Sequence, residues 1–94
     1  MNVRGFIWHR EVVDKLLWKH NVTTAEVEEA FGNKPRYRFL EAGDVAGEDL
    51  YAVFGQSDSG RYLIVYFVYK KTGDALPISA REMTKKERRS YGKK

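Results

Sequence analysis

The stretch that most constrains the fold is Arg61–Tyr69, which reads Arg-Tyr-Leu-Ile-Val-Tyr-Phe-Val-Tyr. Successive side chains of a strand point to opposite faces. From Tyr62 onward both sets of positions are apolar or aromatic, so a strand here must be covered on both sides and belongs in the middle of a sheet. The run is far short of the ~20 residues that cross a bilayer. Its flanks are turns by composition: Ser57-Asp58-Ser59-Gly60 before it and Lys70-Lys71-Thr72-Gly73-Asp74 after it. Further strands are predicted over Arg36–Leu40, Asp49–Gln56 and Ala75–Ala80. Strands joined this closely must be antiparallel neighbours, because parallel pairs need long crossovers. Pro77 cannot donate to a ladder, which places part of the last strand at an edge.

The remaining sequence supplies helices. Val3–Trp8 reads as a short opening strand, and His9–Lys19 then carries Val12, Val13, Leu16 and Leu17 as one apolar stripe. His20-Asn21 ends that helix. Thr23 with Glu26 forms a capping box that opens a second helix, which runs to Phe31 and stops at Gly32-Asn33. Thr84 with Glu87 forms another box, opening a C-terminal helix that ends near Tyr91-Gly92. The expected fold is α+β: a four-stranded antiparallel sheet with a short N-terminal strand, two N-terminal helices on one face, and a C-terminal helix. The 94 residues are one domain by length, with residues 92–94 as a disordered tail.

Composition removes several function classes. There is no cysteine, which excludes disulfides, thiolate nucleophiles and Cys-ligated zinc. The only histidines, His9 and His20, lack a third partner for a metal and fit capping or packing roles better. No P-loop, no G-x-G-x-x-G and no H-E-x-x-H is present, and no serine has a nucleophile-elbow context. Neither a metal nor another cofactor is expected. No apolar leader follows Met1, so the chain reads as cytoplasmic, with no membrane association.

Charge is asymmetric. Residues 1–69 hold eight Lys/Arg and ten Asp/Glu, whereas residues 70–94 hold nine and three. A basic segment of this kind attracts phosphate or an acidic protein. Ser79 and Arg81 alternate on a strand and share one face, and a capped helix begins just beyond them. Arg81 presents a planar fork suited to phosphate, and a helix N-terminus favours anions. Arg61 and Tyr62 start the neighbouring strand, and Tyr66 or Tyr69 offers a ring on which a base could stack. The plain structural reading is different. There the tyrosines are core, Arg81 closes an ion pair with a neighbouring acid or with Asp14, and Lys85, Lys86 and Arg89 are a solvated helix face.

The block R-Y-L-I-V-Y-F…G-D…I-S-A-R-x-M-T-K-K-E-R-R-x-Y, Arg61 to Tyr91, resembles the C-terminal half of BrnT toxins. Trp8, then Lys19-His20, Val22 and a Glu-rich helix, resembles the family's W-D…K-H-G-V-x-x-x-E-A pattern. His9 stands where the family usually has Asp, Leu16 where it often has Asn, and Asn21 where Gly is common. The resemblance implies a RelE-like fold and the toxin role in a bacterial type II toxin–antitoxin pair. It implies a metal-independent endoribonuclease, a cognate BrnA-like DNA-binding antitoxin, and promoter DNA reached only through the complex with that antitoxin.

Cleavage of RNA without metal requires deprotonation of the 2′-OH, stabilisation of the phosphorane charge and protonation of the 5′-oxygen. On the implied role, Arg81 and Arg61 meet the phosphate, Ser79 donates to it, and Lys85, Arg88 or Tyr91 serves as acid or base. Tyr62, Tyr66, Lys86 and Arg89 would hold RNA. Two other readings stay open at this point: a non-catalytic domain that docks an acidic partner segment, and a nucleic-acid-binding module without cleavage.

Overall fold

The computed structural model describes residues 1–93. In chain order the elements are β1 (Gly5–Phe6), α1 (Arg10–His20), α2 (Thr24–Gly32), β2 (Arg36–Glu41), β3 (Leu50–Gln56), β4 (Tyr62–Tyr69), β5 (Asp74–Glu82) and α3 (Lys85–Gly92). The α+β class expected from the sequence is observed.

The sheet has five strands in the order β1-β5-β4-β3-β2, with β4 in the middle. The β2–β5 meander is antiparallel throughout, whereas β1 joins it in parallel through Gly5 opposite Asp74 and Phe6 opposite Ala75. The sheet is therefore mixed. The opening strand is also shorter than Val3–Trp8: Gly5 and Phe6 alone pair in register with β5, and the Ile7 N–H closes the ladder on the Ala75 carbonyl. Beyond Ala75 no strand of the described residues pairs with the outer side of β5, and Pro77 sits there, beside a register shift opposite Tyr66/Phe67. That bulge accommodates the residue that cannot donate.

Each helix ends where the local chemistry dictates. Asn21 closes α1 in the left-handed conformation (φ 53°); its N–H donates to the Leu17 carbonyl and the Val22 N–H to the Leu16 carbonyl. Asparagine is the non-glycine residue that tolerates this region best. Both capping boxes form: Thr23 with Glu26 on α2, and Thr84 with Glu87 on α3. Gly92, expected in the tail, is the last residue of α3, and Lys93 is its C-cap. Lys94 lies outside the described residues.

α1 and α2 cover one face. Leu16, Val22, Val27, Ala30 and Phe31 pack there on Val53, Leu63, Val65, Phe67, Ala75 and Ala80. Burying a side chain such as Phe67 is worth roughly 1.5–3 kcal/mol. α2 sits so low on β3 that a Cβ at Gly55 would run into the Ala30 carbonyl group. The opposite face has a smaller core of Ala52, Ile64 and Met83, with Phe54, Tyr62, Tyr66 and Tyr91 packed against it. α3 lies on that second face. No helix of the described residues is long and apolar enough to cross a membrane.

Candidate nucleic-acid interface

Strand register arranges the second face in rows. Residues paired across strands point the same way. Arg36, Phe54, Ile64 and Arg81 therefore form one row from β2 to β5, and Arg38, Ala52, Tyr66 and Ser79 form the next. At the usual strand spacing the ends of a row are roughly 14 Å apart. α3 lies over the first row, with Glu87 against Arg81 and Tyr91 against Arg36.

Aromatic rings and cations hold α3 in place, since none of its residues is fully buried. The Tyr91 ring meets Tyr62 edge-on at 6.0 Å, with Arg36 5.5 Å above it. Arg88 lies 4.3 Å over the Tyr62 ring. The Tyr91 hydroxyl donates to the Lys34 carbonyl at 2.8 Å, tying the helix to the chain entering β2. Burial raises the Tyr91 pKa and Tyr62 adds to this, while Arg36 opposes it. That shift is the reverse of the one a base needs, and the contacts of Tyr91 anchor α3 to the sheet.

Arg81 is almost fully engaged. Nη1 donates to Glu87 Oε1 at 2.8 Å and to the Glu82 carbonyl at 3.1 Å. Nη2 donates to Glu87 Oε2 at 2.9 Å and to the Tyr66 hydroxyl at 3.2 Å. Glu87 Oε1 also accepts from the Thr84 N–H at 2.8 Å, which completes the cap. The Arg81 fork, with help from that backbone donor, holds the Glu87 carboxyl down at about 2. The same pairing raises the Arg81 pKa, Glu87 being the main cause and Tyr66 a further one. The acid partner is thus Glu87 of the adjoining helix and not Asp14.

Two hollows flank α3. A groove of about 520 Å³ between helix and sheet is lined by Arg36, Tyr37, Arg38, Phe54, Lys86, Glu87, Ser90 and Tyr91. On the other flank a hollow of about 340 Å³ is formed by Tyr62, Lys85, Arg88 and Arg89. A third depression, of about 530 Å³, lies at the hairpin end among Gly32, Asn33, Lys34, Gln56, Ser57, Asp58 and Gly60. It holds no arginine, and an aspartate lines it together with its one lysine, so the hollows beside α3 are better suited to a polyanion.

The structure thus brings together Tyr62, Tyr66, Ser79, Arg81, Lys85, Lys86, Arg88, Arg89 and Tyr91 on one face. It places Arg61 elsewhere. The Arg61 Nη1 donates to both Glu26 oxygens at 3.0 and 2.9 Å and to the Asn21 carbonyl at 2.7 Å, and Nε and Nη2 hold Glu82. Burial would weaken its charge, but these bonds outweigh burial and raise its pKa. Tyr69 is also on the helix-covered side, its hydroxyl donating to the Asn2 carbonyl at 2.7 Å. Sequence reading missed Arg36, Arg38 and Phe54. The alternation Arg36-Tyr37-Arg38-Phe39 was the available signal, but nothing local says that α3 lands beside it.

No curated protein matches the chain. The family described as the ribonuclease toxin, BrnT, of type II toxin-antitoxin systems matches residues 8–87. That span includes both rows of the α3 face and the helix start as far as Glu87, and it stops short of Arg88 and Tyr91. With most of its length matched, the chain belongs to the BrnT family of ribonuclease toxins.

Proposed function

We propose that this toxin cleaves RNA without a metal ion, by attack of a 2′-OH on the adjacent phosphate, and that the reaction takes place on the face built from β2, β4, β5 and α3. One observation carries the proposal. Arg36, Arg38, Arg81, Lys85, Lys86, Arg88 and Arg89 converge on this face with Tyr62, Tyr66 and Tyr91, and Glu87 is the carboxylate that lines its groove. Cations along a groove track a phosphate backbone, and rings among them stack bases. A hard divalent cation wants clustered oxygen ligands, and Glu87 is already committed to Arg81.

Roles follow from position. Arg81 and Arg88 stabilise charge on the phosphorane, with the Ser79 hydroxyl, one row over beside Tyr66, donating to a phosphate oxygen. Lys85, exposed beside Arg88 and Arg89, transfers the proton. Arg36, Arg38, Lys86 and Arg89 hold the flanking backbone. Arg61 braces the fold and is not assigned to the reacting phosphate. The antitoxin partner is a BrnA-like DNA-binding protein that carries the toxin to promoter DNA and covers this cationic face while bound.

The test is to incubate the purified chain with RNA in excess chelator and analyse the new ends. Fragments ending in 2′,3′-cyclic phosphate, weakened about 10²–10³-fold by Arg81→Ala, are expected. RNA binding without cleavage would reduce the domain to a nucleic-acid-binding module.

A further inference from the structure

We infer that Glu87 is a built-in competitor for RNA at Arg81: its carboxylate occupies the guanidinium edge that a phosphate would take, and so sets the affinity and salt dependence of this face. The inference rests on the reading of the α3 face as an RNA surface.

The argument is one of donors. A guanidinium has five N–H groups in a fixed fork. Four of those of Arg81 are committed: two to Glu87, one to the Glu82 carbonyl and one to the Tyr66 hydroxyl. On the Nη1–Nη2 edge of Arg81 a phosphate can gain a bidentate seat only by displacing Glu87, and on the Nε–Nη2 edge the Tyr66 hydroxyl already meets Nη2. If Glu87 remained, an incoming phosphate would lie beside a like charge. Either way Glu87 opposes the ligand.

The seat is also exchangeable. The Arg81 and Glu87 side chains keep 37% and 28% of their surface exposed, and pairs this open are weak. α3 does not need the charge, since the third helical position of a capping box accepts Gln as well as Glu. The other arginine brace differs. Arg61 is clamped by Glu26 and Glu82 away from the groove, and a phosphate on the α3 face does not reach it.

The experiment uses the full chain and a short single-stranded RNA with 2′-O-methyl riboses, which binds but cannot be cleaved. Glu87→Gln should bind on the order of tenfold more tightly at low salt, because a like charge is gone. It should also steepen the slope of log K against log salt by ~0.7, the increment of one freed cation on single-stranded nucleic acid. The gain should vanish in an Arg81→Ala background, and Glu82→Gln, the same charge change on the other brace, should not reproduce it. Thermal melting verifies that each variant is folded. Unchanged or weaker binding by Glu87→Gln overturns the inference, as does an equal gain with Arg81→Ala or from Glu82→Gln. Failure of the wild-type chain to bind this RNA or cleave any RNA would instead refute the function on which the inference rests.

Discussion

Replacing Arg61 by Ala separates a structural brace from a reacting group. The Arg61 side chain is 24% exposed and that of Glu26 19%, so the pair is largely shielded from water, whereas Glu82 is 62% exposed. An exposed pair contributes little, so the Glu82 side is discounted. What remains is a two-oxygen contact with Glu26 and a 2.7 Å bond to the Asn21 carbonyl, which together pin the α1–α2 turn to the start of β4. Charge-assisted bonds of this kind support a loss of about 2 kcal/mol. For a domain of this size that is a fall in Tm of about 8–16 °C by calorimetry or circular dichroism. Part of the loss is Glu26 left without its partner, so adding Glu26→Gln should restore about 1 kcal/mol. RNA cleavage, measured where the variant is folded, should stay near wild type. A Tm within ~3 °C of wild type would refute the brace. A hundredfold loss of cleavage in folded protein would return Arg61 to the reacting phosphate.

Other perturbations probe other links. Gly55→Ala should destabilise the protein by about 2–3 kcal/mol in urea unfolding, because the new methyl meets the Ala30 backbone and not a movable side chain. Tyr91→Phe removes the bond to the Lys34 carbonyl and should cost about 1 kcal/mol in the same assay. It should leave cleavage within a few-fold of wild type, and a large drop would show that the hydroxyl moves a proton. Arg36→Ala and Arg38→Ala should each weaken RNA binding and flatten its salt slope by ~0.7, measured by fluorescence anisotropy. Acid unfolding should register Glu87. Its folded pKa of about 2 lies below the ordinary 4.5, so its contribution is complete above 4.5 and lost as the pH falls toward 2. Solvent exposure limits that contribution to about 1 kcal/mol, and Glu87→Gln should flatten the stability profile in this window.

Local signals carried much of the fold. The doubly apolar Tyr62–Tyr69 run identified the middle strand because a strand in that place has no solvent face. The Thr-x-x-Glu boxes fixed the starts of α2 and α3 because cap chemistry acts within one turn. The parallel pairing of β1 was not legible, since a two-residue strand is made by the partner it meets. The candidate face was legible where it is continuous in sequence, from Ser79 to Tyr91. It was not legible where it depends on register: Arg36 and Arg81 share a row only because β3 and β4 align them. Arg61 shows the converse. It is adjacent in sequence to Tyr62, yet strand alternation and the Glu26 carboxylate hold it away from the α3 face.

The most direct test of the account is the chemistry of the cut ends. The purified chain, exhaustively chelated, should convert RNA to fragments with 2′,3′-cyclic phosphate and 5′-hydroxyl termini, while the same RNA carrying 2′-O-methyl riboses stays whole. Cleavage of the methylated RNA, cleavage that appears only when a divalent cation is added, or ends bearing 5′-phosphate would contradict metal-independent attack by the 2′-OH on the α3 face.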